Sequence, residues 1–146
     1  MTAEVRPFRK EDTSSVLELA NSFAAFDGTT SEADLAVTGF FPSGFWVAES
    51  EGKVVGFVYG CFRDVPAEAL ERWKASKVGQ VELMSVHPSH RGFGVGRSLL
   101  SKLLKEFKDA GADMVLLNCP ASASEARELY VSAGFKVKSY QMMKRI

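Results

Sequence analysis

The sequence predicts an α/β (α+β) fold in which a mixed central sheet of about six or seven strands is flanked by helices. Three observations carry that expectation. Apolar residues switch repeatedly between a period of two and helical spacing along the chain. Two apolar runs meet at Glu51-Gly52, the signature of a tight antiparallel hairpin. A further strand-like run, QVELMSV, precedes an amphipathic helical stretch and then MVLLN, the order of a right-handed parallel crossover. With 146 residues, 46% of them hydrophobic, the chain suits a single domain spanning 1–146 with a respectable core.

Each element has a local reason. EVRPF alternates as a short first strand, and Asp12 is placed to cap a helix carrying Val16, Leu17, Leu19, Ala20 and Phe23 on one broad face. A second, shorter helix is expected over 31–40 with Ser31 as its cap. GFWVAESEGKVVGFVYGCF then supplies both arms of the hairpin. Asp64 and Pro66 stand at cap and first-turn positions ahead of AEALERWKA, which predicts a short helix or ordered loop over 64–77. Pro88 ends the QVELMSV strand. Val95, Leu99, Leu100, Leu103, Leu104 and Phe107 fall at helical spacing, and Gly111 closes that helix. MVLLN has no alternation and is expected to be covered on both faces. Residues 123–133 form a last helix stopped by Gly134, and FKVKSYQMMKRI supplies one or two terminal strands.

Composition narrows the function. Eighteen basic residues balance eighteen acidic ones, so the chain lacks the general pull towards nucleic acid or anionic membrane that a net basic protein exerts. An anion would have to be bound locally. No stretch approaches the roughly 20 apolar residues that span a bilayer, and MTAEVRPFRKED has no apolar leader, so the expectation is a cytoplasmic chain with no nucleic-acid and no membrane partner. Cys61 and Cys119 each sit in an apolar run and read as buried reduced thiols. His87 and His90 flank Pro88 without a helical H-E-x-x-H pattern or an acid at ligand spacing, so no metal site is expected. No G-x-S-x-G elbow occurs.

The most informative stretch is HRGFGVGRSLL, with glycines at 92, 94 and 96 between a strand and a helix. Glycines there let the chain turn tightly while exposing backbone N–H groups, and a helix N-terminus adds partial positive charge. Such a turn suits a phosphate. Arg91 and Arg97 flank it and supply full charges. The plain alternative is a tight strand-to-helix turn whose glycines serve geometry alone. The dinucleotide fingerprint fails because residue 97 is arginine rather than glycine, and no G-K-[ST] follows for a P-loop.

Arg91-Gly92-Phe93-Gly94-Val95-Gly96 resembles the R/Q-x-x-G-x-G/A pyrophosphate loop of the GCN5-related N-acetyltransferase (GNAT) family, and ELYVSAGF resembles that family's LYxxxGF helix end. The resemblance extends over essentially the whole chain, since the elements come in the family's order. It implies a GNAT-like acyl-CoA N-acyltransferase fold, acetyl-CoA as co-substrate, no metal, and an amine acceptor. It further implies that the backbone of Met84, Ser85 and Val86 pairs with the pantetheine amides like an added strand, and that the loop of Arg91, Gly92, Phe93, Gly94, Val95, Gly96 and Arg97 holds the pyrophosphate. An asparagine that the family often places seven residues before its tyrosine is here Ala123, and the hydroxyl of Ser122 or Ser124 stands nearby as a substitute.

Two residues are singled out for proton transfer. Glu82 is the only acid in its strand, and period-two alternation would put it on the same side as Met84 and Val86. The resemblance implies a base there. It also implies that Tyr130 is a general acid for the departing thiolate. The acceptor slot it implies lies near Phe23, Phe26, Phe40, Phe41, Phe45, Trp46 and Trp73, with Asp27, Glu32 and Asp34 beside them; aromatics at helical spacing are equally read as plain core. The resulting expectation is an acetyl-CoA-dependent N-acetyltransferase acting on a primary amine of a small molecule or peptide by direct transfer in a ternary complex. An acyl-CoA-binding regulatory module without catalysis and a protein or peptide N-acetyltransferase are the alternatives, and a homodimer is compatible with any of them.

Overall fold

A computed structural model of the chain describes residues 2–23, 30–36 and 41–146. Among these residues five strands, β1 (Glu4–Pro7), β2 (Phe45–Ser50), β3 (Lys53–Arg63), β4 (Val78–Val86) and β5 (Met114–Leu117), form one sheet in sequential order. The first four are antiparallel neighbours, and β5 joins β4 in parallel. Among the described residues five α-helices accompany them: α1 (Thr13–Phe23), α2 (Glu32–Ala36), α3 (Ala67–Trp73), α4 (Val95–Asp109) and α5 (Ser124–Ser132).

The sheet separates two cores. On one face Val16, Leu19 and Ala20 of α1 and Leu35 of α2 pack on Phe45, Val47 and Phe57. On the other, Val95, Leu99, Leu100, Leu103 and Phe107 of α4 pack on Val58 and Val81, with Leu129 and Tyr130 of α5 against them. The apolar spacing read from the sequence therefore marks the buried faces of α1 and α4 correctly. Phe107 owes its place to two glycines: a Cβ at Gly60 or Gly79 would meet its ring at 2.8 or 2.6 Å. Leu99 is fully buried, so Leu99→Ala would cost about 2–5 kcal/mol.

The hairpin turns at Glu51 and Gly52, both at positive φ, as a two-residue loop requires. Asp12 does not cap α1. It lies in a 3-10 turn (Lys10–Asp12), where its carboxylate accepts from the Arg9 amide at 2.8 Å and from both terminal nitrogens of Arg6 at 2.8 and 2.9 Å. A charged partner outcompetes the orphan amides of the helix start. The short helix in 64–77 begins after Pro66, without a side-chain bond from Asp64. Ser31 does face its helix: Asp34 N donates to its Oγ at 3.4 Å.

The strand count is lower than expected. Residues 135–146, read as one or two terminal strands, have no regular secondary structure, and Val137, Tyr140 and Met142 are 64, 83 and 90% exposed. Alternation supplies a strand with a face, but a strand exists only when a neighbour takes its hydrogen bonds. None pairs with this segment among the described residues.

Candidate active site

β4 and β5 stay paired only from Val78↔Met114 to Val81↔Leu117. Beyond that point β4 continues for five residues, Glu82 to Val86, while β5 ends and the chain turns through Pro120 into α5. The β5-facing edge of Met84, Ser85 and Val86 is consequently left without a strand partner among the described residues. Such an edge can accept a peptide-like chain. On the other side these residues pair with Val58, Phe57 and Gly56 of β3, so the edge is rigidly held. Ser85 is buried with its Oγ donating to Leu19 O at 3.2 Å, and Met84 and Val86 lean on the α4 face.

The opening of the sheet coincides with an irregularity at Glu82. Tyr59 pairs with Leu83 and Gly60 with Val81, so Glu82 is an extra residue on β4, a β-bulge. The bulge shifts the alternation. Glu82 accepts a hydrogen bond from Cys61 Sγ at 3.1 Å and lies close enough to Tyr59 to oppose its ionisation, and Tyr59 packs in the α1 core. Glu82 thus projects from the α1 and α2 face, opposite to Met84 and Val86, which corrects the expectation from simple alternation. Tyr59 is pushed up to about 12 by burial first, then by Glu82 and by Asp34 of α2. Burial and the neighbouring Glu82 likewise push the Cys61 thiol up to about 12.

β4 leads into the glycine loop through a 3-10 turn (Pro88–His90). His87 Nδ1 and His90 Nδ1 lie 2.7 and 2.8 Å from Ser89 Oγ, tying the turn together. No cluster of three or more potential metal-ligating side chains occurs among the described residues. Gly94 is the N-cap of α4 at φ +85, and Gly92 has φ +82; a Cβ at either would meet nothing within 4 Å. The loop is therefore shaped by backbone conformation and open on its outer side. The first helical bond runs from Ser98 N to Gly94 O, leaving the N–H groups of Val95, Gly96 and Arg97 without an intrahelical acceptor. Gly96 serves differently: a Cβ there would lie 3.2 Å from Leu129 Cδ2, so this glycine sets the approach of α5 to α4.

The two flanking arginines, equivalent in the sequence, are not equivalent in space. Arg91 turns back and donates from Nε to Val86 O and from Nη2 to Phe23 O, both at 2.9 Å. Arg97 is exposed and borders a shallow groove between α4 and α5 with Leu100, Ser101, Leu129, Ser132 and Ala133. It makes no hydrogen bond or ion pair among the described residues. Phe93, at the tip of the loop, is 58% exposed.

Tyr130 is placed by the end of α5. Phe135 N donates to Tyr130 O and Gly134 N to Val131 O, with Gly134 at φ +99, which is a Schellman cap, and the rings of Tyr130 and Phe135 meet edge to face at 6.0 Å. The spacing within LYVSAGF is thereby the spacing of a helix terminus. Burial pushes the phenol up to about 12, with the nearby Cys119 adding to the rise. Cys119 itself is raised by burial. Both cysteines are free and half-buried. Ala123 is the N-cap of α5; Ser122 is exposed at its approach and makes no hydrogen bond among the described residues.

Those of the suggested acceptor-slot aromatics that lie among the described residues are not gathered in one place. Phe41 stacks on Phe107 in the α4 core, Phe45 on Phe8, Trp46 lies under Lys102, Trp73 under Lys138, and Phe23 meets His87. Phe26, Asp27 and Phe40 lie outside the described residues. Glu82, Tyr59 and Asp34 instead bring polar groups together on the α1 and α2 side. Cys61, the hydrogen-bond partner of Glu82, was legible from sequence only as an apolar-run thiol; the bulge that joins the two leaves no local signal.

A family described as "Acetyltransferase (GNAT) family" matches residues 13–135. Mycothiol acetyltransferase of Thermobispora bispora is 32% identical over 106 residues, covering 73% of this chain and 34% of that protein. Human N-acetyltransferase 8B is 38% identical over 92 residues, 63% of this chain and 38% of that one. The chain thus spans about a third of the length of these curated relatives. The solved aminoglycoside N-acetyltransferase AAC(6')-Iy in complex with CoA has the same fold, with a TM-score of 0.74, 17% identity and coverage of 99% of this chain and 95% of that one.

Proposed function

The chain belongs to the acetyltransferase (GNAT) family, and on that premise we propose that it is an acetyl-CoA-dependent N-acetyltransferase that moves an acetyl group to a primary amine of a small molecule or peptide. The observation that carries this reading is the open edge of β4 at Met84 to Val86, running directly into a glycine loop at the N-terminus of α4. A ligand with a peptide-like arm and an anionic end fits that continuity.

The residues present fit coenzyme A. The edge amides and carbonyls of Met84, Ser85 and Val86 offer a ladder for the pantetheine arm. The free N–H groups of Val95, Gly96 and Arg97 and the helix N-terminus offer donors to the pyrophosphate. The open space over Gly92 and Gly94 leaves room for it. Of the two arginines, Arg97 is the one available to a phosphate, because Arg91 already holds two carbonyls. Phe93 offers an exposed apolar ring beside the loop, and Ser122 a hydroxyl at the start of α5.

When bound, the coenzyme supplies an activated acetyl thioester. The chain supplies position and proton traffic. Glu82, aimed from the bulge towards the α1 and α2 side, takes the proton that the amine must lose to become nucleophilic. Tyr130, a neutral phenol at working pH, donates its hydroxyl proton to the departing sulfur. The two thiols are raised by burial rather than lowered, which makes each a poor covalent nucleophile and supports direct transfer in a ternary complex.

The deciding experiment follows thiol release from acetyl-CoA with an aliphatic diamine, an amino sugar, a free amino acid and a short peptide. Amine-dependent release with matching acetylated product is the expected result. Tight coenzyme binding without amine-dependent release would instead make the chain an acyl-CoA-binding regulatory module.

A further inference from the structure

We propose that Cys61 is a positioning residue for the reaction, its thiol holding one oxygen of Glu82 so that the other faces the amine. This rests on the reading of Glu82 as the base.

The geometry is specific. Cys61 lies on β3 opposite Gln80, and the bulge carries Glu82 back over it, so that Sγ donates to Oε1 at 3.1 Å. Glu82 makes no other hydrogen bond among the described residues, which leaves Oε2 with its lone pairs free. An exposed glutamate on a strand ordinarily samples several rotamers; here one contact holds the carboxylate by one of its two oxygens.

A thiol is also suited to the task. It is a weak donor, so it orients the carboxylate without the strong pull on its electrons that an arginine or lysine would exert. Burial and the carboxylate keep it protonated, so the contact persists across ordinary working pH. The other groups around this pair are Tyr59 on β3, Asp34 on α2, which acts on Tyr59, and the Arg63 and Gln80 side chains bonded to each other at 3.3 Å. No cation pairs with Glu82 among the described residues, and the thiol is the one group there that donates a hydrogen bond to it.

The test uses the full chain with Cys61→Ala, Cys61→Ser and Glu82→Gln. Three quantities are read: kcat and KM for the fastest amine of the panel above, and the Kd of acetyl-CoA. Cys61→Ala should lower kcat by about 2- to 12-fold, the worth of one modest hydrogen bond, with KM for the amine and acetyl-CoA affinity unchanged. Cys61→Ser restores a donor and should retain the wild-type kcat. An equal loss of kcat in both cysteine variants would mean that Cys61 only packs and would overturn the proposal. So would a Cys61→Ala protein indistinguishable from wild type while Glu82→Gln is defective; that outcome leaves Glu82 as the base. A Glu82→Gln enzyme with full activity overturns the base reading itself, and this inference with it.

Discussion

Arg91 reaches across the fold to Phe23, donating from Nη2 to the Phe23 carbonyl at 2.9 Å while its Nε holds Val86 O. The residue that opens the glycine loop is thus a brace between the end of β4 and the last turn of α1. Its charge also suits the exposed carbonyl end of that helix.

The two arginines should separate in experiment. Arg91→Ala removes two charge-assisted bonds at an exposed site and is expected to cost about 1–2 kcal/mol of stability, roughly 2–8 °C in Tm. Arg97→Ala should leave Tm unchanged and weaken CoA by about 1–3 kcal/mol. Titrating dephospho-CoA in parallel locates the contact: an equal loss places Arg97 on the pyrophosphate, and a loss confined to CoA places it on the 3′-phosphate. Unchanged affinity for both ligands would remove Arg97 from the site.

Gly94 and Gly96 should fail for different reasons. Gly94→Val forces a β-branched residue into left-handed backbone, at a cost of about 1–2 kcal/mol, and fills space left open over the loop. Coenzyme affinity should fall well beyond the stability loss. Gly96→Val places its Cβ 3.2 Å from Leu129 and should displace α5, lowering Tm as well as affinity. Calorimetric titration and melting on each variant decide this, and normal CoA binding by Gly94→Val would refute the cradle.

Tyr130 and Glu82 should be distinguishable by pH. Tyr130→Phe removes one hydroxyl and should bind acetyl-CoA normally yet lose kcat by about 10- to 10⁴-fold, with no recovery as pH rises. Glu82→Gln cannot accept the amine proton, so its defect should shrink at higher pH, where more of the acceptor is already neutral. The check is kcat/KM from pH 6 to 10 for both variants. Full activity in Tyr130→Phe would reduce the tyrosine to packing against Phe135.

Acid stability should depend on Asp12. The bond from Arg6 holds its carboxyl below the ordinary value of 3.8, with burial opposing and the Arg9 amide assisting. A depressed folded pKa contributes stability that is present above pH 3.8 and is lost as pH falls through the lower folded value. Asp12→Asn leaves the half-buried Arg6 with Glu49 as its one remaining carboxylate partner among the described residues and should cost about 3 kcal/mol at neutral pH. Its stability should then fall less steeply than wild type below pH 4. Chemical denaturation at pH 7 and pH 3 measures both; parallel curves would exclude Asp12 from the acid transition.

What the sequence by itself determined is what short-range physics encodes. Helical spacing of Leu99, Leu103 and Phe107 marks the buried face of α4, Glu51-Gly52 sets the hairpin, and Gly92 and Gly94 announce a turn with positive φ. The spacing of Tyr130, Gly134 and Phe135 is legible for the same reason, since a Schellman cap is closed within a few residues. Only the tertiary structure decided the rest. The face of Glu82 depends on one extra residue in the β3 and β4 register, which alternation along β4 alone cannot reveal. Arg91 finds a carbonyl 68 residues away, and Cys61 finds a carboxylate on the next strand. The 135–146 segment has a strand's alternation without a strand partner among the described residues. Periodicity belongs to a segment, whereas register, pairing and the far end of a long side chain belong to how segments meet.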